Sequence, residues 1–309
     1  MLPWPVGYVQ TTGKRRGVLK PARFHYFDPP TTEAAVEILG KYGSEAKILA
    51  GGQSLMPLLN MRLARPSALV DINQISALDY IRPQDGGLEI GAIVRQRLLD
   101  FDPLIAEYAP LLRELTYWLG HPQIRNRGTI VGSIAHADPA GELPAATLAL
   151  DATVTALGPR GERILSVDEL YLGYLATSLE PDEMLTQVYI PRLPAGAGWS
   201  IKEVARRHGD FALVGVIAVV AGTQGRIDDA RIVGFGVGGR PVRLRESEQL
   251  LVGASPRAEL IEEAAERASQ GVEPDSDIHA SAEYRKAVTG VLVRRALQEA
   301  IDRAEGIVR

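Results

Sequence analysis

The chain has 309 residues, 46% of them apolar and 23% charged, an ordinary globular balance that argues against long disorder. Its 38 acidic residues outweigh 34 basic ones for a net charge of -4, the wrong sign for a protein that lives on a phosphate backbone, so no nucleic acid partner is expected. Cysteine is absent, which excludes disulfides, thiolate-bound zinc, a cysteine nucleophile and any iron–sulfur cluster held by cysteines of this chain.

At about 150 residues per domain, the length predicts two domains. Residues 1–19 hold Gly7, Gly13, Gly17 and the basic cluster Lys14-Arg15-Arg16 without periodicity, and read as a mobile extension outside the fold. Arg15-Arg16 is followed by Val18-Leu19-Lys20-Pro21 rather than by the apolar core of an export signal. Thr31-Thr32-Glu33 opens a helix that ends at Gly43, Lys47 to Ala50 is a strand, Ser54 to Leu59 a second short helix and Ala68 to Ile72 a strand. A hairpin follows, with Leu78 to Ile81 and Leu88 to Ile90 joined across Asp85-Gly86-Gly87. Arg95 to Leu119 reads as helix. Gly120 to Asp138 carries too many Gly, Pro and Asn residues for regular structure. A buried segment from Leu143 to Ala149 leads to the strands Thr153–Leu157 and Met184–Ile190.

Pro191 to Gly198, with two prolines and two glycines, is the expected linker. Beyond it, Ser200–Arg206, Ala212–Ala221 and Ala230–Val237 read as strands, the latter two joined by a turn at Gln224-Gly225. Arg243–Val252, Arg257–Ser269 and Glu283–Glu305 read as helices. This order of strands and then helices predicts an α+β module. The longest uncharged run, Ala212 to Gly222, is about half of the roughly 20 residues a spanning helix needs. No transmembrane segment and a cytoplasmic location are therefore expected.

Two segments carry possible chemistry. In Ile48-Leu49-Ala50-Gly51-Gly52-Gln53-Ser54-Leu55 a strand runs into two glycines and a polar pair opening a helix. Taken alone, that pattern is more often a plain tight turn, and it also suits a nest of backbone N–H groups open to a phosphate or pyrophosphate. Ile124 to Ser133 repeats the ingredients, glycines beside hydroxyl side chains. Together the two could clamp a diphosphate from both sides. A Cβ added at Gly51 or Gly52 is then expected to stand where the diphosphate lies. Gly234 to Gly239 satisfies the letters G-x-G-x-x-G, but Arg240-Pro241 follows where a dinucleotide site requires a helix to open, so the motif is declined. His25, His121, His136, His208 and His279 lack metal-ligand spacing, and no G-x-S-x-G elbow occurs. On a strand, Lys202 and Arg206 would share one face.

The pair AGGQS at Ala50 to Ser54 and GTIVGSIAHADPAGELP at Gly128 to Pro144 resembles the FAD-binding medium subunits of the molybdenum hydroxylases, the group of the aerobic carbon monoxide dehydrogenase medium chain and the xanthine dehydrogenase flavin domain. The resemblance runs from about Lys20 to the C-terminus. It implies an α+β fold: an FAD-binding domain of the PCMH/vanillyl-alcohol-oxidase type over 20–192, in two α+β subdomains of about 20–75 and 76–192, then a C-terminal domain of the CO dehydrogenase flavoprotein type over 199–309. It implies FAD, with the diphosphate between Leu49, Ala50, Gly51, Gly52, Gln53, Ser54 and Leu55 on one side and Thr129, Ile130, Gly132 and Ser133 on the other. Val131 stands where the family often has glycine. Glu142 matches an acidic position on the ribose or adenine side, and Leu119 an apolar one near the adenine. Leu185 and Lys202 match positions close to the isoalloxazine ring, where a cation favours the anionic reduced flavin.

The implied partners are a large subunit with the molybdenum cofactor and a small one with two [2Fe–2S] clusters, assembled as a dimer of heterotrimers. The chain itself would hold no metal and no catalytic acid or base. The flavin would take single electrons from the clusters and pass pairs to a quinone or NAD. The alternative reading is a free-standing FAD-dependent oxidoreductase, in which His208 or Tyr174 would have to supply the acid or base. A module that uses FAD only structurally is the third.

Overall fold

The chain is described by a computed structural model over residues 21–223 and 225–307. The expected 1–19 extension, and Gln224 of the expected turn, lie outside the described residues.

The first elements form a small parallel sheet flanked by helices. Strand β1 (His25–Phe27) leads to helix α1 (Thr32–Tyr42), where the Thr31 side chain caps the N-terminus by accepting from the Ala34 N–H and Gly43 ends it at φ 51°. Strand β2 (Ala46–Leu49), helix α2 (Leu55–Asn60) and strand β3 (Ala68–Asp71) follow, and the three strands lie in the order β1-β3-β2. The second unit opens with the hairpin β4 (Ile81–Gln84) and β5 (Gly87–Gly91), turning through Asp85 and Gly86 at φ 47° and 80°.

The single helix expected over Arg95–Leu119 is three short ones: α3 (Leu98–Phe101), α4 (Pro103–Tyr108) and α5 (Pro110–Leu115). Each proline lacks an N–H and so starts a new helix, and Asp102 caps α4. The irregular stretch expected over Gly120–Asp138 is instead largely helical, with α6 (Pro122–Arg127) and α7 (Ile130–His136). Pro122 sits at the favourable first turn, and Thr129 caps α7 by accepting from the Gly132 N–H at 3.1 Å. The composition of that stretch suggested breakage, whereas the positions of its Pro and Thr make helix starts.

Helix α8 (Glu142–Ala149) is buried along its whole length. Then come β6 (Thr153–Gly158), β7 (Gly161–Ser166), the one-turn helix α9 (Val167–Leu170), the short pair β8 (Tyr171–Gly173) and β9 (Ala176–Thr177), and β10 (Met184–Pro191). Strands β4-β5-β10-β6-β7, in that order, make an antiparallel sheet of five, against which α7 packs through β10.

The C-terminal part is an antiparallel sheet of β11 (Gly198–Val204), β12 (Val214–Thr223), β13 (Arg226–Phe235) and β14 (Val242–Arg243), followed by α10 (Arg245–Leu251), α11 (Ala258–Gln270) and α12 (Ala282–Ala304). Alternation explains the long apolar run of β12. Val214, Val216, Ala218 and Val220 face the core under α11 and α12, while Ile217 and Val219 join the core shared with the N-terminal sheets. Both faces of this sheet are covered, so the run is a buried strand. Strand β11 stops at Val204, and Arg206 lies beyond it, paired with Asp210 at 3.7 Å, so Lys202 and Arg206 do not share a strand face. Gly234 to Gly239 spans the end of β13 and a turn into β14, with no helix opening inside it.

The two parts are stitched by specific bonds. Gly236 N–H donates to the Pro139 carbonyl at 2.8 Å, and Glu114 of α5 accepts from both Trp199 Nε1 and Arg303 Nη1 at 2.9 Å.

Candidate functional site

The two glycine-bearing segments meet. The first leaves β2 at Leu49 and enters α2 behind Ser54; the second is Gly128-Thr129 and the first turn of α7. A Cβ built on Gly51 would lie 2.6 Å from the Arg127 carbonyl oxygen, 2.7 Å from Gly128 Cα and 2.9 Å from Thr129 N. Such distances are far inside van der Waals contact, so only glycine lets the two backbones touch here. The expected reason for these glycines therefore changes at Gly51: a side chain there meets the opposite loop, and would harm the site by prising the loops apart. Gly52 sits at φ 71°, in the left-handed region, with Leu49 and Met56 side chains just over 3 Å from a notional Cβ.

Backbone donors line the junction. Among the described residues, the N–H groups of Gly51, Gly52, Gln53, Ser54 and Leu55 meet no acceptor, and neither do those of Thr129 and Val131. The carbonyl of Gly51 is held by Gln53 Nε2 at 2.9 Å. Buried or half-buried N–H groups without acceptors are rare in folded proteins, and a cluster of them facing a loop of the same kind suits an anion. Val131 is buried and occupies the second helical position, which leaves its N–H free even though glycine is replaced.

The other candidates fall in three places. Glu142 begins α8 and is 5% exposed; burial pushes its pKa up to about 7. Across from it stands Glu203 of β11, raised to about 8 by burial first and by the negative charge of Glu142 second, with Oε2 lacking any hydrogen-bond partner. Two acids thus approach each other between the N-terminal and C-terminal parts of the chain, and one has an orphaned oxygen that a ligand donor would satisfy. Leu119 and Leu185 are buried in the shared core, Leu119 just past α5 and Leu185 in β10. The carbonyls of Leu119 and Gly120 both accept from Arg125, on the helix leading to the second loop.

Lys202 lies on the other face of β11 from Ile201 and Glu203, forming an ion pair with Glu299 of α12. Glu299 also pairs with Arg303 at 3.6 Å. Tyr174 donates to Asp275 at 2.9 Å, and the His208 ring lies tilted at 52° against Tyr117 with the ring centroids 4.8 Å apart.

Three residues escaped the sequence reading: Glu203, Asn73 and Arg95. Asn73 donates to the Ala50 carbonyl at 2.8 Å, and Arg95 to the Arg127 carbonyl at 2.6 Å, each fastening one loop. Only Asp71-Ile72-Asn73, an Asx turn closing a strand, left a visible trace. Glycine in backbone contact, unpaired N–H donors and an orphaned buried carboxylate together fit a ligand with a diphosphate and several hydroxyl or N–H donors, as FAD has.

Comparison with known proteins identifies the family. Residues 22–193 match the family described as "FAD binding domain in molybdopterin dehydrogenase", and residues 199–300 match "CO dehydrogenase flavoprotein C-terminal domain". The chain is 44% identical to the 6-hydroxypseudooxynicotine dehydrogenase complex subunit alpha of Paenarthrobacter nicotinovorans, over 93% of this chain and 97% of that one. It is 38% identical to the nicotine 6-hydroxylase medium subunit of the same organism, over 91% and 99%. Carbon monoxide dehydrogenase from Hydrogenophaga pseudoflava superposes with a TM-score of 0.90 at 37% identity, covering 92% of this chain and 99% of its counterpart. Fold, paired loops and both family matches converge: the chain belongs to the FAD-binding medium subunits of the molybdenum hydroxylases.

Proposed function

We infer that this subunit holds FAD across its two facing loops and carries electrons from the [2Fe–2S] clusters of a small partner subunit to an external acceptor, a quinone or NAD. The substrate is oxidised on a large subunit that bears the molybdenum cofactor. The assembly is a dimer of such heterotrimers in the cytoplasm. The observation that carries the reading is the set of unpaired N–H groups at Gly51–Leu55 and at Thr129 and Val131, brought together by the backbone contact at Gly51.

In this reading residues 20–192 form the FAD-binding domain and 199–309 the domain that covers it. Leu49 to Leu55 and Thr129, Ile130, Gly132 and Ser133 hold the diphosphate; their N–H groups are fixed in place by the fold, so binding an anion requires little reorganisation. Thr129 does double duty, because its hydroxyl caps α7 and thereby holds the first turn rigid. Glu142 receives donors from the ribose or adenine side, and Leu119 gives the adenine an apolar neighbour. Leu185 and Lys202 stand at the ring end, where the ammonium opposes the charge of the reduced form. When bound, FAD supplies the ability to accept electrons singly and release them as a pair. No side chain of this chain has to form or break a bond in the substrate.

The test is a titration of the purified full-length chain with FAD, together with co-purification from cells that express the neighbouring genes. Stoichiometric yellow cofactor and a complex containing molybdenum and iron are expected. A colourless chain indifferent to added FAD would end this reading.

A further inference from the structure

The facing loops are held together by side chains that belong to neither. Asn73 stands two residues beyond β3 and reaches the Ala50 carbonyl, while Arg95 stands beyond β5 and reaches the Arg127 carbonyl. The two are themselves joined, Arg95 Nη2 donating to Asn73 Oδ1 at 2.5 Å. Asp71 orients Asn73 by accepting from its backbone N–H at 2.9 Å and from Nδ2 at 2.6 Å, and Asp71 in turn accepts from the Tyr26 hydroxyl at 2.7 Å. An unbroken chain of hydrogen bonds therefore runs from β1, through the end of β3, to one loop and across to the other.

The bonds have a directional consequence. In a trans peptide the C=O and N–H point to opposite sides, so holding the Ala50 carbonyl aims the Gly51 N–H the other way. Gln53 does the same for the Gly52 N–H by holding the Gly51 carbonyl. Charge points in the same direction. Both Arg95 bonds go to neutral oxygens, and the guanidinium is half-buried with Arg127 close enough to repel it, a penalty that the carboxylates of Asp79 and Asp71 only partly offset. A cation placed where burial and a like charge both disfavour it is well matched to an anion between the loops.

The geometry points to Asn73 and Arg95 as positioning residues, a clip that sets the spacing of the two loops and the direction of their N–H groups for a diphosphate. This rests on the FAD reading above and goes further by naming residues outside both loops that set affinity for the diphosphate.

The clip is tested in the full-length chain with Arg95→Lys, which keeps the charge but cannot reach both oxygens at once, and with Asn73→Asp, which keeps the acceptor for Arg95 but loses the donor to Ala50. FAD binding is read by quenching of flavin fluorescence, ADP binding by competition, and folding by the melting temperature. Each variant should bind FAD and ADP more weakly by the same factor, about tenfold, the worth of one positioned hydrogen bond, with an unchanged melting temperature. Wild-type affinity for both ligands in the folded variants would overturn the clip. So would a loss confined to FAD, which would put the effect at the flavin end, or failure of both variants to fold, which would assign the network to stability alone. A wild-type chain that binds neither FAD nor ADP is a different failure, that of the FAD reading itself.

Discussion

Replacing Glu203 by glutamine tests whether two acids buried against each other burden the folded chain. Glu203 is raised from 4.5 to about 8 and Glu142 from 4.5 to about 7, whereas in the unfolded chain both ionise near the ordinary glutamate value. Between those limits the folded state keeps protons that the unfolded state has already released. Stability therefore falls as pH rises, beginning near 4.5 and finishing once the pH has passed about 8. At about 1.4 kcal/mol per pH unit, the interval from 4.5 to about 8 sets a ceiling of about 5 kcal/mol for Glu203. Part of its side chain stays in contact with water, which screens the penalty and brings the expected effect to about 2 kcal/mol. Glutamine keeps the shape and neither ionises nor repels Glu142. In the FAD-free full-length chain, Glu203→Gln should match the wild type near pH 5 and gain about 2 kcal/mol by pH 8.5, or roughly 4–8 °C in melting temperature. Melting curves from pH 5 to pH 9 read this directly. Two parallel pH profiles, separated by a constant offset, would refute the reasoning.

Gly51→Ala forces its Cβ into the backbone at Arg127–Gly128, so the loops must part and FAD should be lost by tenfold or more in affinity, roughly the value of one hydrogen bond out of place. A full yellow complement in the purified variant would contradict this. Thr129→Ala removes the α7 cap and should lower stability to urea by about 1 kcal/mol, while Thr129→Ser should retain it. Lys202→Ala should lower the flavin midpoint potential, and Glu299→Gln should raise it by freeing the ammonium from its partner. Each change is of the order of 1 kcal/mol, roughly 20 mV for a two-electron couple, and potentiometric titration that finds neither would remove Lys202 from the flavin's electrostatics.

The elements that the sequence made legible are those whose signals are local. Thr31, Gly43 and the spacing of Ala35, Val36 and Leu39 mark both ends and the buried face of α1. The alternation in β12 and the register of β12 with β13 follow from apolar patterning around a short turn. What failed was the weighing of Pro and Gly by number instead of by place. Pro103, Pro110 and Pro122 each begin a helix, and the glycines of 128–132 are compatible with a capped turn because Thr129 satisfies the Gly132 N–H. Strand β7, in which every residue is exposed or half-buried, has too few apolar positions to announce itself and is set by its partner β6.

The site divides along the same line. Both glycine loops could be read because a backbone that must come close to something leaves glycine in the sequence. Their contact at Gly51 could not, since it depends on how the small parallel sheet docks on the helices around α7. Asn73 and Arg95 are ordinary surface residue types whose meaning comes entirely from two carbonyls they reach, 23 and 32 positions away. Lys202 and Glu203 show how little separates a legible residue from a silent one. A strand sends neighbours to opposite faces, so the lysine meets α12 while the glutamate turns toward Glu142 and is left with an unpaired oxygen. A lysine at a position the resemblance marks draws attention, but it is the next residue whose buried oxygen has no partner among the described residues, and uncompensated burial is the stronger physical reason to look for a ligand there.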